Sequence, residues 1–357
     1  MENLGDVPGG YRRPPVSARL ESSPTVGTDA VELSLPDGRF RSVALVHELR
    51  RPRAVPFERR GSSWRLRMPR PPADRFEYLL ELERRDGSRE LVPDPRNPLR
   101  APGPFGDKSV VEFPGYAPPA WLEDEASQQG ELRELPFGVL WSAAETEPER
   151  PLPLVLVHDG PEYAAFSSLL RLFDHLVAFG EVPAFRAALL PPPGDRNEAY
   201  SASLRYVRLL ADRWLPALAD AAPFTHPPLA VGASLGALAF LHVHWWRPGL
   251  LGGLLPQSGS FFRRRYDSHE SGSGRFARIT RFVGTVVGGR GRAEPVPTTI
   301  TCGTAEENLD NNRVMAAALQ ERGFPARLVE HRDAHNWVSW RDVLHPHFAE
   351  LLLRSLR

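Results

Sequence analysis

Leu229-Ala-Val-Gly-Ala-Ser-Leu-Gly-Ala237 is the stretch that decides how this chain is read. A short apolar run with strand character enters Gly232-Ala-Ser234-Leu-Gly236, and a continuous apolar segment from Ala237 to Trp246 leaves it. Gly-x-Ser-x-Gly between a strand and a helix puts the serine on a strained bend, where the glycines keep side chains out of a crowded turn. The amide of the next residue, Leu235, then points to where an oxyanion forms during acyl transfer. The sequence nominates Ser234 as a nucleophile.

Outward from this bend the texture is alternating strand and helix. Leu152 to Val157 is a nearly all-apolar strand, as expected of a parallel strand buried on both faces. Tyr163 to Phe179 has apolar residues at helical spacing. Phe185–Leu190 reads as a strand, Ser203–Leu218 as a helix, and Leu250–Leu255 and Thr298–Cys302 as strands. Asn311–Arg322 reads as a helix, Ala326–Glu330 as a strand, and Trp337–Leu353 as a closing helix. This alternation predicts a mainly parallel sheet covered on both faces, with ligands at the carboxyl ends of its strands. Ser234 falls at such an end.

The first third reads differently. Residues 1–28 are rich in Pro, Gly, Ser and Arg and are expected to be a loose arm. Val31–Leu35, Phe40–Val46, Trp64–Met68 and Phe76–Leu82 alternate apolar and polar residues, and Asp86-Gly87 is a hairpin turn signal. Short alternating strands at this spacing predict a small antiparallel β-sandwich over 29–115. Trp64 and Tyr78 fit its core better than an exposed sugar platform. Residues 116–131 are polar and proline-bearing and mark the expected connection to a second domain over 132–357.

Composition narrows the field. At 357 residues the chain is long enough for two domains. Its 44 Lys+Arg balance 44 Asp+Glu, which argues against nucleic acid or an anionic membrane as the main partner. The single cysteine, Cys302, cannot pair within the chain, and the N-terminus lacks the basic start and apolar core of a secretory signal. A cytoplasmic location is expected. No uncharged apolar run approaches the roughly 20 residues a membrane span needs. The sequence is silent on oligomeric state.

A serine hydroxyl needs a base within hydrogen-bond reach, and the base needs an orienting acid. In this fold the chain order is serine, acid, histidine. Downstream of Ser234 lie His242, His244, His269, His331, His335, His345 and His347. His335 is the preferred base, because it follows the strand Ala326–Glu330 in a loop at the sheet's carboxyl edge. His242 and His244 read as packed helix residues. His331 and His335 straddle a strand end without a His-Glu-x-x-His arrangement, so no metal is expected there, and no metal or cofactor is expected for the chain as a whole. The acid belongs in the loop after Thr298–Cys302, where Glu306 is first choice and Glu307 and Asp310 are alternatives. A second oxyanion donor is expected from His158-Asp-Gly-Pro-Glu-Tyr163: Pro161 has no N–H, which leaves Gly160, Glu162 or Tyr163. Gly160 is read as allowing backbone close to a substrate.

These residues together resemble the enterochelin (ferric enterobactin) esterase branch of the α/β-hydrolases, related to esterase D, feruloyl esterases and mycolyltransferases. Asp159-Gly160, Gly232 to Gly236, Gln257-Ser-Gly-Ser-Phe-Phe262, Cys302-Gly-Thr-Ala-Glu306 and His335-Asn-Trp-Val-Ser-Trp-Arg341 match that branch in order over about residues 150–350. Val92-Pro-Asp-Pro-Arg-Asn-Pro98 is similar to a segment of the early-set, immunoglobulin-like domain that precedes the hydrolase there. The resemblance implies a Ser234–His335–Glu306 triad, an acyl-enzyme, and a small-molecule ester substrate such as a ferric siderophore lactone. Tyr163, Arg196, Ser258, Phe261 and Trp337 are the candidate substrate contacts, and Arg263-Arg-Arg265 is read as a solvated turn.

Three positions depart from the branch: Asp333-Ala334 replaces Gly-Gly, Asn336 replaces Asp, and a tryptophan near the Asp-Gly loop is missing, with Tyr163 nearby. They are expected to lie at the pocket rim. The alternatives are an acyltransferase of mycolyltransferase type and a non-catalytic protein that binds through the sandwich.

Overall fold

The structure, a computed structural model, describes residues 23–357 apart from Glu125, Ser127, Ser273 and Arg292. Most of the expected arm, residues 1–22, lies outside the described residues. Its last part is not loose, because Thr25–Val26 pairs as a strand with Val31 and Glu32.

The N-terminal third forms two antiparallel sheets. One runs Thr25–Val26, Ala30–Pro36, Ser63–Pro69, Glu58–Arg60. The other runs Ala54–Pro56, Phe40–His47, Arg75–Arg84, Lys108–Glu112, Arg100–Ala101, with Arg89–Val92 also pairing with Arg75–Arg84 across the Asp86-Gly87 turn. Alternation puts Val31, Leu33, Leu35, Trp64 and Leu66 of one sheet and Val43, Leu45, Tyr78 and Leu80 of the other into a common core. Each such apolar side chain contributes about 1.5–3 kcal/mol when fully buried. Asp94, from the Val92–Pro98 segment, is buried and accepts the Tyr78 hydroxyl at 2.8 Å.

The remainder is built on an eight-stranded sheet in the order Glu131–Leu135, Gly138–Ser142, Arg186–Leu190, Leu154–His158, Leu229–Ala233, Gly253–Gln257, Thr298–Gly303, Ala326–His331. The six strands from Arg186–Leu190 onward are parallel, and the first two are antiparallel to their neighbours. One core lies on each face. Glu131, expected at the end of the connection, already opens a strand, and Trp121 within that connection is buried in the second core.

Two expected helices are each two. Tyr163–Phe179 resolves into Gly160–Phe166 and Leu169–Ala178, because Ser168 takes a left-handed conformation at φ 50°. The closing helix divides into Trp337–Asp342 and His347–Ser355 around Pro346, whose ring cannot continue a helix. A helix over Phe276–Val287 was not anticipated, although Phe276, Ile279, Phe282, Val283 and Val286 carry its periodicity. Among the described residues no helix is long and apolar enough to cross a membrane.

Candidate active site

Leu229–Ala233 delivers Ser234 to the carboxyl edge of the parallel sheet, and Leu235–Trp246 carries the chain away. Ser234 is held at φ 54°, ψ −120°. A non-glycine residue there costs roughly 1–3 kcal/mol and persists only where its surroundings enforce it. Here the Ser234 amide donates to Gln257 O at 2.9 Å, and the Ser260 amide donates to Ser234 O at 3.0 Å. The two glycines let the helix start against the strand. A Cβ on Gly232 would stand 2.8 Å from Gly236 C, and one on Gly236 would stand 3.1 Å from His158 Cβ. His158 braces the same turn: it is fully buried, stacks on Phe240, and its Nδ1 lies 2.9 Å from Gly236 O. Burial lowers its pKa to about 3, so it is neutral at ordinary pH.

Glu306 and His335 meet as the chain order requires. His335 Nδ1–H donates to Glu306 Oε2 at 2.8 Å. Glu306 is 1% exposed, and its other oxygen accepts from Ser258 Oγ at 2.6 Å and from the Gly303 amide at 2.8 Å. Burial alone would raise its carboxyl, but His335, Ser258 and Gly303 together hold it below the usual carboxylate range. The other two acids of the loop turn away. Glu307 pairs with Arg51 and Arg53, and Asp310 pairs with Arg313. His331 is engaged elsewhere, its Nε2 lying 2.8 Å from Ser339 Oγ.

Ser234 Oγ lies 3.1 Å from Ser260 Oγ, and this is its side-chain hydrogen bond among the described residues; none joins it to His335. The hydroxyl thus bonds to Ser260 and not to His335; hydrogen bonds of a catalytic kind are often long without substrate and tighten when it binds.

Leu235 opens its helix, so its amide has no intrahelical acceptor and faces outward with the positive end of the helix. The amide of Glu162 lies in the first turn of Gly160–Phe166. Tyr163 is excluded as a donor, because its amide is bonded to Asp159 O at 2.9 Å. A Cβ on Gly160 would stand 2.4 Å from Leu189 Cα, so the neighbouring strand already requires glycine there.

The expected substrate contacts divide. Arg196 and Trp337 are partly exposed. Arg196 clamps Asp159 with two bonds of 2.8 and 2.7 Å and stacks over Tyr200. Tyr163, Ser258 and Phe261 are fully buried, which corrects their reading as substrate contacts. Tyr163 donates its hydroxyl to Gln257 Oε1, and Phe261 belongs to the apolar core. Ser258 receives Trp340 Nε1–H at 2.9 Å while donating to Glu306, so it positions the acid. Of Arg263-Arg-Arg265, Arg264 and Arg265 are exposed, and Arg263 and Arg265 lie over the Tyr266 ring.

The departures at Asp333 and Asn336 are not at a rim. Both are buried where the acid and histidine loops meet the N-terminal sheets. Arg75 donates to Asn336 Oδ1 at 2.9 Å and to Glu77 at 3.0 Å, and lies 4.0 Å from Asp333. Asn336 Nδ2 donates to Glu48 at 2.7 Å, and Lys108 links Glu48 to Glu77. Arg50 donates from its amide to Ala305 O at 2.9 Å and from Nε to Glu306 O at 3.0 Å. Ala305 and Ala334 pack into the core of the N-terminal sheets. Sequence reading missed Arg50, Arg75, Ser260 and Trp340; the last two stand in the quoted motifs, and nothing local marks the arginines.

The structure thus brings together a strained serine at the carboxyl edge of a mainly parallel sheet and an acid and a histidine on the loops after its last two strands. Among solved structures the chain has the fold of the enterobactin esterases. It is 17% identical to the Shigella flexneri enterobactin esterase crystallised in the presence of enterobactin, over 94% of this chain and 97% of that one, at a TM-score of 0.72. The ferric enterobactin esterase of Salmonella typhimurium aligns at 17% identity over 92% of this chain and 95% of that one, also at 0.72. No family model and no curated protein matches the sequence.

Proposed function

We propose that this chain is a serine hydrolase of carboxylic esters. The observation that carries the reading is the 2.8 Å contact from His335 Nδ1 to a buried Glu306, set beside a serine held at φ 54°. Ser234 Oγ leaves Ser260, gives its proton to His335 Nε2 and attacks the ester carbonyl. The tetrahedral oxyanion is met by the Leu235 amide and by the first turn of Gly160–Phe166, each donor being worth about 3–4 kcal/mol. His335 then protonates the departing alkoxide. Water, deprotonated by the same imidazole, attacks the acyl-enzyme and frees the acid. Glu306 keeps Nδ1 protonated and stabilises the imidazolium.

The substrate class follows from the shared fold and the quoted motifs: a small-molecule ester, with siderophore lactones of the enterobactin kind as the first to try. Arg196 and Trp337 are the contacts to examine. The N-terminal sheets are read as an immunoglobulin-like sandwich over 29–115, joined through 116–131 to a catalytic domain over 132–357, in a cytoplasmic protein.

The test is a fluorophosphonate probe followed by intact mass. One adduct on the native chain and none on Ser234→Ala is the expected result. No adduct on either, with both folded, removes the hydrolase reading and favours a binding role.

A further inference from the structure

The amino edge of the large sheet carries a second cluster of reactive groups. Leu169–Ala178 runs back from the carboxyl edge and ends with His175 in its last turn. Glu181 follows in the loop that leads to the start of strand Arg186–Leu190. His345 comes from the turn between the two last helices. Three separate segments thus bring two imidazoles and a carboxylate together on the side of the sheet opposite Ser234.

We infer that His175, Glu181 and His345 form a divalent metal site suited to Zn²⁺. Their candidate ligand atoms all lie within 4.8 Å of one another. His175 Nε2 is 3.2 Å from Glu181 Oε1, and His345 Nε2 is 2.9 Å from Glu181 Oε2. Tetrahedral zinc with bonds of about 2.0–2.1 Å sets neighbouring ligand atoms roughly 3.3 Å apart. Small side-chain rotations therefore suffice. Two imidazole nitrogens and one carboxylate oxygen are a donor set that zinc favours over magnesium or calcium.

A second observation points the same way. His175 is 7% exposed, and its Nδ1 is buried without a hydrogen-bond partner among the described residues. An acid, Asp124, places its Oδ2 3.4 Å from that nitrogen. An ion on Nε2 makes the Nδ1–H a stronger donor and draws Asp124 to it, the carboxylate–histidine–metal arrangement that fixes a ligating ring. A groove of about 420 Å³, bordered by Pro119, Trp121, Asp124 and Asp342, opens on the cluster and admits water to the fourth position. The ion would fasten the connecting segment, the helix Leu169–Ala178 and the turn after Trp337–Asp342 to one another.

The experiment uses the full chain stripped with EDTA and titrated with Zn²⁺ against a chromophoric chelator, with Co²⁺ absorption as a second readout. One equivalent bound at sub-micromolar affinity, with Co²⁺ bands of a tetrahedral N/O site, is expected. Glu181→Gln and His345→Ala remove side chains that are about one-third exposed, so the fold survives, and should weaken binding about 100-fold or more; Asp124→Asn should weaken it about tenfold. Ser234→Ala should bind zinc as the native chain does, which separates this site from the hydrolase reading. Absence of stoichiometric binding, or the same affinity in His345→Ala, overturns the assignment.

Discussion

Arg75, on a strand of the N-terminal sheets, donates to Asn336 Oδ1 at 2.9 Å, and Asn336 is the residue that follows His335. Arg50 does the same for the acid, donating to the backbone oxygen of Glu306 at 3.0 Å. Both partners of the His335–Glu306 contact are thus steadied from the other end of the chain. Arg75 is fully buried, and burial alone would lower its pKa, but Glu77 and Asp333 hold it firmly charged.

Arg75→Lys keeps the charge and loses the fork that reaches Asn336. Ester hydrolysis should lose kcat on the order of 10- to 100-fold with KM nearly held, as small displacements of a base do. Arg75→Ala takes one of two cations from Glu77 and the cationic neighbour from buried Asp333, and should lower stability by about 3–5 kcal/mol. Steady-state kinetics of the lysine variant are decisive: wild-type kcat would mean that the grip has no bearing on the base.

Glu306→Gln leaves the shape of the loop and removes the charge that fixes the His335 tautomer. The turnover number should fall about 10³–10⁴-fold, while Asp310→Asn, on an exposed residue paired with Arg313, should leave it unchanged. Rates of the two variants on one chromogenic ester check this. Equal losses in both would reassign the acid.

Ser258→Ala deletes the 2.6 Å hydrogen bond that helps hold the Glu306 carboxyl down. Without that donor the Glu306 carboxyl moves up from its depressed position. The acid limb of the kcat/KM profile should move up by about one pH unit. A profile that is merely scaled down would show that Ser258 acts only in packing.

Glu112 stands at the same junction, where burial and the like charge of Asp342 raise its carboxyl from 4.5 to about 7. Between those values the folded chain binds more protons at this site than the unfolded chain does. Its contribution to stability therefore falls as the pH rises from 4.5 to about 7 and is flat above. Glu48, raised to about 6, acts in the same sense. Glu112→Gln should melt a few degrees higher than the native chain at pH 8 and at the same temperature at pH 4. Equal differences at both pH values would contradict the shift.

The bend at Ser234 was legible because a local pattern, strand then Gly-x-Ser-x-Gly then helix, is enough to produce it. His335 and Glu306 were legible once strand order placed their loops at one edge. The direction a side chain takes was not. Tyr163, Ser258 and Phe261 sit beside the site in sequence, yet they turn into the core, which only packing decides. Glu131–Leu135 escaped notice because its Glu-Leu-Arg-Glu-Leu is mostly exposed and lacks an apolar face. Asp333 and Asn336 looked like pocket residues for want of any sign that Arg75 and Glu48 would reach them.

Arg75 and Asn336 are 261 positions apart, and Arg50 and Glu306 are 256 apart. Domains form in the order in which they are synthesised. The N-terminal strands are thus made before the loops they grip, which later add Ala305 and Ala334 to their core, and Arg50 and Arg75 wait with their future partners absent. The serine bend follows, and the acid and base loops come last, onto a surface already shaped for them. On this order of events, the contact between His335 and Glu306 forms late in the chain's assembly, against strands that were made first.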